Sequence, residues 1–324
     1  MSLLEELALE FGTSLGEMAK LIVTAPRRYK SYEIEKRQGG TRVISQPARE
    51  IKYIQRYVMS EKLSAFPIHD IAAAYVEGRG IVDNARKHAS SEFILKLDFS
   101  GFFPSIVPRD LERANRRHSP TILERRDLED YYQILFWGRG SNVPACLSIG
   151  APSSPMVSNI VMHQLDCEAA EIADRLGVVV TRYADDITVS ADSAAPLGRF
   201  ERSFRRALSN SKSPRLTVNE GKRGLYGRGE RRMVTGLIIT PDGGISIGRE
   251  RKRAISAMIH RIVLGNADID AIMHTKGMLA FAFSAEPTFV ASMRAKYGND
   301  TINRILATQR PVEQIDIRAL LKGD

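Results

Sequence analysis

Cysteine is almost absent: the 324-residue chain holds two, Cys146 and Cys167, and no CxxC pair. That argues against a disulfide scaffold and a structural zinc site, and a reducing cytoplasm fits best. Histidine is equally sparse, with six residues and no cluster along the chain. No apolar run approaches the roughly 20 residues needed to span a bilayer. The N-terminal stretch MSLLEELALEFG is acidic and amphipathic, without the basic start or cleavage site of a signal peptide. Internal repeats and low-complexity tracts are also missing.

What is plentiful is positive charge. The chain has 47 Lys+Arg against 38 Asp+Glu, a net charge of +9. Such a surplus favours a polyanionic partner, nucleic acid first and a membrane surface second. Hydrophobic content of 43% and charged content of 26% are ordinary for a globular protein. The length allows two or three domains.

The pattern predicts helix over residues 1–24, a hairpin over 34–47 turning at Gly39-Gly40, and a helix from Arg49 to Leu63. FILKLDF (93–99) reads as a buried strand closed by SGFFPS. Helical patterns return at 108–117 and 121–137. In 150–177, Ser154 is a candidate N-cap with Pro155 at the first helical position. Val157, Ile160, Val161 and Leu165 then form an apolar stripe, and Gly177 closes the helix. VVVTRY and ITVS predict two strands around Ala184-Asp185-Asp186, and two strand-like runs flank TPDGG (240–244). Everything from Arg249 onward reads as helix, with Arg249, Arg251, Lys252 and Arg253 crowding its first turn. Cations there oppose the helix dipole, so the placement points to a compensating phosphate.

Three carboxylates carry the chemistry. Asp98 ends the buried strand, an unfavourable place for a charge without a partner. Asp185 and Asp186 sit at the tip of the second predicted hairpin. If the two elements pack side by side, each carboxylate raises its neighbours' pKa values unless a cation holds them ionised. Hard oxygen ligands of this kind suit Mg²⁺. Two such ions about 4 Å apart can activate an attacking hydroxyl and stabilise the leaving oxygen of a phosphoryl transfer. Taken alone, adjacent aspartates are also ordinary turn formers.

The motifs YADD (183–186), LKLDFSGFFPSI (95–106) and GAPSSP (150–155) resemble, in order, the boxes of reverse transcriptases. Within that superfamily the chain resembles bacterial retron enzymes. NARKH (84–88) fits their NAxxH signature and VTG (234–236) the one preceding their thumb. The resemblance runs from about Arg42 to the last helices. It implies an α+β right-hand polymerase: N-terminal helix, fingers and palm over 1–239, with the palm mainly at 91–104 and 150–239. A helical, RNA-recognising thumb would occupy 240–324.

The resemblance further implies that Asp98, Asp185 and Asp186, with the Phe99 carbonyl, bind two Mg²⁺ ions. Phe103 matches the steric gate that excludes a ribose 2′-OH, with neighbouring Phe102 as the alternative ring. Arg42, Gly150, Ala151 and Lys222 would hold the dNTP. Asn84, His88, Val234, Thr235, Gly236 and the Arg249, Arg251, Lys252 and Arg253 cluster would contact RNA or primer, with helix capping or core hydrogen bonding as the alternative for Asn84 and His88. Ile149 stands where many relatives have Gln, which removes a polar contact to the nucleotide. The implied activity is copying of a structured noncoding RNA into single-stranded DNA. Priming from a guanosine 2′-OH would give branched RNA–DNA (msDNA), used in antiphage defence with an accessory effector. Two alternatives remain: a group II intron-type reverse transcriptase, disfavoured because no maturase or endonuclease segment follows the thumb, and an inert RNA-binding scaffold with the same fold.

Overall fold

The computed structural model describes residues 1–35, 39–118 and 121–310. The chain divides into two compact units, one of Met1–Arg231 and one beginning at Arg232.

The first unit starts with two helices where the pattern predicted one, α1 (Leu3–Glu10) and α2 (Leu15–Thr24). The break has a local cause. Ser14 builds a capping box with Glu17, as Ser2 does with Glu5, so each serine starts its own helix. β1 (Tyr29–Glu35) and β2 (Thr41–Pro47) then form an antiparallel hairpin, followed by α3 (Arg49–Glu61) and the short α4 (Ile81–Lys87). Next come β3 (Phe93–Asp98), α5 (Phe102–Ser105), α6 (Pro108–His118) and α7 (Leu128–Leu135). Helix predicted over 121–137 is thus shorter than its pattern. α8 (Ser154–Leu176), β4 (Val179–Tyr183), β5 (Asp186–Ala191), α9 (Ala194–Asn210) and β6 (Gly224–Tyr226) complete the unit.

β4, β5, β3 and β6 lie in that order in one antiparallel sheet. Alternation separates its two faces. Leu95, Leu97, Ile187 and Val189 join the buried core with Val157, Ile160 and Val161 of α8 and Phe200 and Phe204 of α9. Burying each such side chain contributes about 1.5–3 kcal/mol. Lys96, Asp98, Asp186 and Thr188 therefore belong to the opposite face. The expected cap of α8 moves by one residue: Ser153 is the N-cap and Ser154 opens the helix. Gly177, at φ +63°, closes it in the left-handed conformation.

The second unit pairs β7 (Met233–Val234), β8 (Leu237–Ile239) and β9 (Ile245–Ser246) in one small sheet. Helices α10 (Arg249–Val263), α11 (Ile269–Ala285), α12 (Pro287–Tyr297) and α13 (Asn299–Ala307) follow. Ile255, Ile259, Leu279, Val290, Ile302 and Ile305 are buried within it. A division at 239/240 would cut this sheet, because Ile239 of β8 pairs with Ile245 of β9.

Candidate active site

Asp98 and Asp186 are direct register partners across β3 and β5. Tyr183 pairs with Asp186, so Ala184-Asp185 is a two-residue hairpin turn. Ala184 takes φ +56°, the sign that the first position of such a turn requires. The amide of Phe99 donates to the Asp185 carbonyl at 3.1 Å, which ties the turn to the end of β3. Three carboxyl groups from two strand ends thus share one rim of the sheet.

Two lysines answer two of them. Lys96 lies two residues before Asp98 on the same face, and its Nζ reaches diagonally to Asp186 Oδ2 at 2.8 Å. Lys222 Nζ donates to both Asp98 oxygens at 2.9 Å. Its 3₁₀ turn (Glu220–Lys222) is anchored there because the Asn219 amide donates to the Asp98 carbonyl at 2.7 Å. Burial, then the charge of Asp98, raises the Asp185 carboxyl above the usual aspartate range. Burial raises Asp186 too, with Lys96 opposing.

Arg182, one residue before Tyr183, holds the hairpin from behind. It donates to Asp166 at 2.7 and 2.6 Å, to Asn159 Oδ1 at 3.1 Å and to the Ala184 carbonyl at 3.1 Å. Asn159 in turn donates to the Ala74 carbonyl at 2.9 Å, next to Tyr75. None of Arg182, Asp166, Asn159 or Tyr75 stood out in the sequence. The available signal was an arginine inside a strand and an aspartate on an apolar helix, both needing partners.

Tyr75 and Phe103 line a cleft of ≈ 350 Å³ with Ile149, Gly150, Ala151 and Lys52. Tyr75 has φ +62°, uncommon for a bulky residue. Burial, then the Asp185 charge, raises its hydroxyl pKa, and Arg42 acts in the opposite direction. The cleft therefore lies within electrostatic reach of the aspartates and of Arg42, itself exposed on β2. Phe102 is buried and stacks on Phe99 with ring centroids 6.0 Å apart, so Phe103 is the ring that faces the cleft. Gly150, at φ +119°, holds a backbone conformation that side chains rarely adopt, and a Cβ there would sit tightly against Gln46, Ile44 and the Ser45 carbonyl at 3.0–3.1 Å.

The residues expected to meet RNA or primer take several different places. His88 is 0% exposed and bonds Ser190 and Thr181 at 2.8 Å each, joining β5 to β4. Burial lowers its pKa to about 3, so it is a neutral internal clamp and not an RNA contact. Asn84 is buried as well, and its amide has no hydrogen-bond partner among the described residues. Val234 is buried in β7, while Thr235 (φ +47°) and Gly236 (φ +79°) form the tight β7–β8 turn. Arg251 donates to the Gly236 carbonyl at 2.6 Å, and Lys252 pairs with Glu286. Only Arg249 and Arg253 of that cluster are exposed. The dispersed histidines do meet: His163 packs edge-on against His69 and His118. Among the described residues, no three His, Cys, Asp or Glu side chains form a ready metal cage.

An acidic strand end beside an acidic hairpin, with an aromatic-floored cleft next to it, defines the palm of a right-hand polymerase. Residues 34–234 match the family Reverse transcriptase (RNA-dependent DNA polymerase). The chain is 37% identical over 280 residues to the retron Ec83 reverse transcriptase of Escherichia coli, covering 86% of this chain and 89% of that one. It is 30% identical over 305 residues to the retron Ec86 reverse transcriptase of Escherichia coli, covering 90% and 89%. This chain belongs to the bacterial retron reverse transcriptases, which are RNA-directed DNA polymerases. The fold also matches apo telomerase from Candida tropicalis with a TM-score of 0.50 at 11% identity. That match spans 86% of this chain and 62% of the telomerase chain. Among the described residues no helix is long and apolar enough to cross a membrane.

Proposed function

We propose that this enzyme copies a structured noncoding RNA into single-stranded DNA, starting from a guanosine 2′-OH to leave branched RNA–DNA, and acts with an effector in antiphage defence. The observation that carries the chemistry is the Asp98–Asp186 pair with Asp185 at the adjoining turn. The likeness to retron enzymes over most of both chains supports the branched product.

The donor set fits two Mg²⁺ ions. Its atoms are hard carboxylate oxygens, and burial with mutual repulsion already disfavours the charge on Asp185. Asp98, Asp185, Asp186 and the Phe99 carbonyl would hold the ions. When bound, they supply activation of the attacking hydroxyl and neutralisation of the leaving pyrophosphate. The protein's own groups do the rest. Lys96 and Lys222 pair with Asp186 and Asp98 and orient them, and Lys222 can pass from Asp98 to a substrate phosphate. Phe103 occupies the space of a ribose 2′-OH, and Arg42 with Lys52 supplies cations for the triphosphate.

The test is extension of a DNA primer on an RNA template with dNTPs, with Mg²⁺ and with chelator, alongside isolation of RNA–DNA from cells that express the enzyme with the DNA surrounding its gene. Mg²⁺-dependent extension and a product that resists separation into linear strands are expected. Extension without a branched product would reduce the reading to generic reverse transcription. No extension at any divalent concentration would favour the inert scaffold.

A further inference from the structure

We propose that the outer surface of α9 is a second nucleic-acid site, holding phosphates of an RNA segment outside the catalytic cleft. The proposal rests on the reading of this enzyme as one that copies a folded RNA, and adds where part of that RNA docks.

α9 contains four arginines and one acid, Glu201. Glu201 is already shared by Arg205, at 3.0 Å, and Arg223, at 2.8 Å. Arg205 also pairs with Glu220 at 2.6 Å. That leaves Arg199, Arg202 and Arg206, which are exposed and have no hydrogen bond or ion pair among the described residues. Their i, i+3, i+7 spacing sets them within an arc of about 60° along roughly 10 Å of helix. Together with Ser203 and Leu176 they line a concavity of ≈ 250 Å³. Three guanidiniums around one hollow repel one another, and a polyanion relieves that repulsion. Arginine's planar fork suits phosphate oxygens, and the 10 Å run suits successive phosphates better than one small anion.

The site is separate from the active site for a topological reason. α9 buries Leu197, Phe200, Phe204 and Leu208. Phe200 and Phe204 share a core with Leu95, Leu97, Ile187 and Val189 on one face of the sheet. Asp98 and Asp186 alternate with those residues, so their side chains leave from the other face. A sheet and a helix thus stand between the arginine hollow and the carboxylates. RNA touching both must pass around the edge of the palm, which a folded RNA with several stems can do and a short primer–template cannot. Phosphate contacts of this kind position the nucleic acid without reading its sequence.

The test is the triple variant Arg199→Gln, Arg202→Gln, Arg206→Gln of the full chain. The probes are an RNA with two stem-loops beyond the copied segment and a short annealed primer–template without them. We expect the stem-loop RNA to bind tenfold or more weakly, and the slope of log affinity against log salt to shrink by about two to three, at roughly 0.7–0.9 per phosphate lost. kcat on the short primer–template should hold, and Tm with it. Unchanged affinity and slope for the stem-loop RNA overturn the proposal. So does a drop in Tm without a change in affinity, which would assign the arginines to the C-terminal end of α8. Arginine-dependent binding of polyglutamate with RNA affinity intact would assign the hollow to an acidic protein, also overturning it. A wild-type enzyme that binds stem-loop RNA through these arginines yet makes no branched product would leave this site standing and remove the priming reaction instead.

Discussion

Arg182 grips Asp166 through two hydrogen bonds of 2.7 and 2.6 Å while both side chains are almost wholly removed from solvent. The pair joins β4 to α8, and the spare Nη1 of the same arginine holds the Ala184 carbonyl of the Ala184-Asp185 turn. A buried ion pair of this kind need not add net stability, but removing one partner strands the other.

Arg182→Met should therefore destabilise the protein by about 3–5 kcal/mol, a fall in Tm of roughly 6–20 °C at about 2–4 °C per kcal/mol. The double variant Arg182→Met, Asp166→Leu should recover most of that loss. Primer extension should stay low in both, because neither holds the Ala184 carbonyl. Thermal melts beside extension assays check it, and full activity in the double variant would refute the turn-holding role.

Asp185→Asn should abolish extension and raise Tm at neutral pH. The sign follows from its raised folded-state pKa. A carboxyl that prefers to be protonated when folded adds stability below its unfolded pKa and loses it as pH rises through the folded one. At neutral pH the wild type carries that penalty and the Asn variant does not. The Tm advantage should shrink as pH falls towards the ordinary aspartate pKa of about 3.9. Melting curves across that range would expose an opposite slope.

Phe103→Ala should raise ribonucleotide incorporation relative to deoxynucleotide, within the about 1–3 kcal/mol that a filled apolar pocket can discriminate. Phe102→Ala should leave selectivity alone and lower stability by about 3–5 kcal/mol, as truncation of a core aromatic does. Competition assays with paired nucleotides separate the two rings. A selectivity change from Phe102 alone would reverse the assignment.

His88→Leu should flatten the acid side of the stability profile. The folded imidazole resists protonation down to about pH 3, whereas the unfolded one takes a proton near 6.5. A depressed folded pKa of a base removes stability as pH falls between those values, so the wild type should weaken there and the variant should not. At neutral pH the variant should be the less stable, because the Ser190 and Thr181 hydroxyls lose their partner at about 1–3 kcal/mol each. Parallel denaturant titrations at pH 4.5 and 7.5 would reveal an unchanged acid limb.

The catalytic rim was legible because its grammar is local: a strand ending in Asp98, and a two-residue turn between β-leaning runs at Asp185-Asp186. α8 was legible for the same reason, through its apolar period and Gly177. The lysines on the carboxylates were harder. Lys96 is visible as i−2 to Asp98, but its reach to Asp186 needs the β3–β5 register. Arg182 and Asp166 show along the chain only as charges in need of partners; that they pair, and that Asn159 holds the Ala74 carbonyl beside Tyr75, depends on residues distant in sequence. The burial of His88 and Val234 was not legible, because short motifs do not show it. His88 joins two strands and Val234 fills a core, and both recur as naturally for packing as for contact.

The fingers hairpin has its fixed point at its root. The Ser45 amide donates to the Ile149 carbonyl at 2.8 Å, and β2 packs tightly against Gly150, whose positive φ disfavours any side chain. Beyond Ile44 the ribbon is exposed on both strands, and among the described residues it pairs with no third. A lone two-stranded ribbon is marginal by itself. Its geometry is that of a cantilever, supported at the clamp and free along its length. Arg42 stands three residues out, about 10 Å along the arm. The Ile149-Gly150 loop that lines the cleft is thus also the anchor of the arm, so one loop supports both the cleft's wall and the root of the strand that carries Arg42.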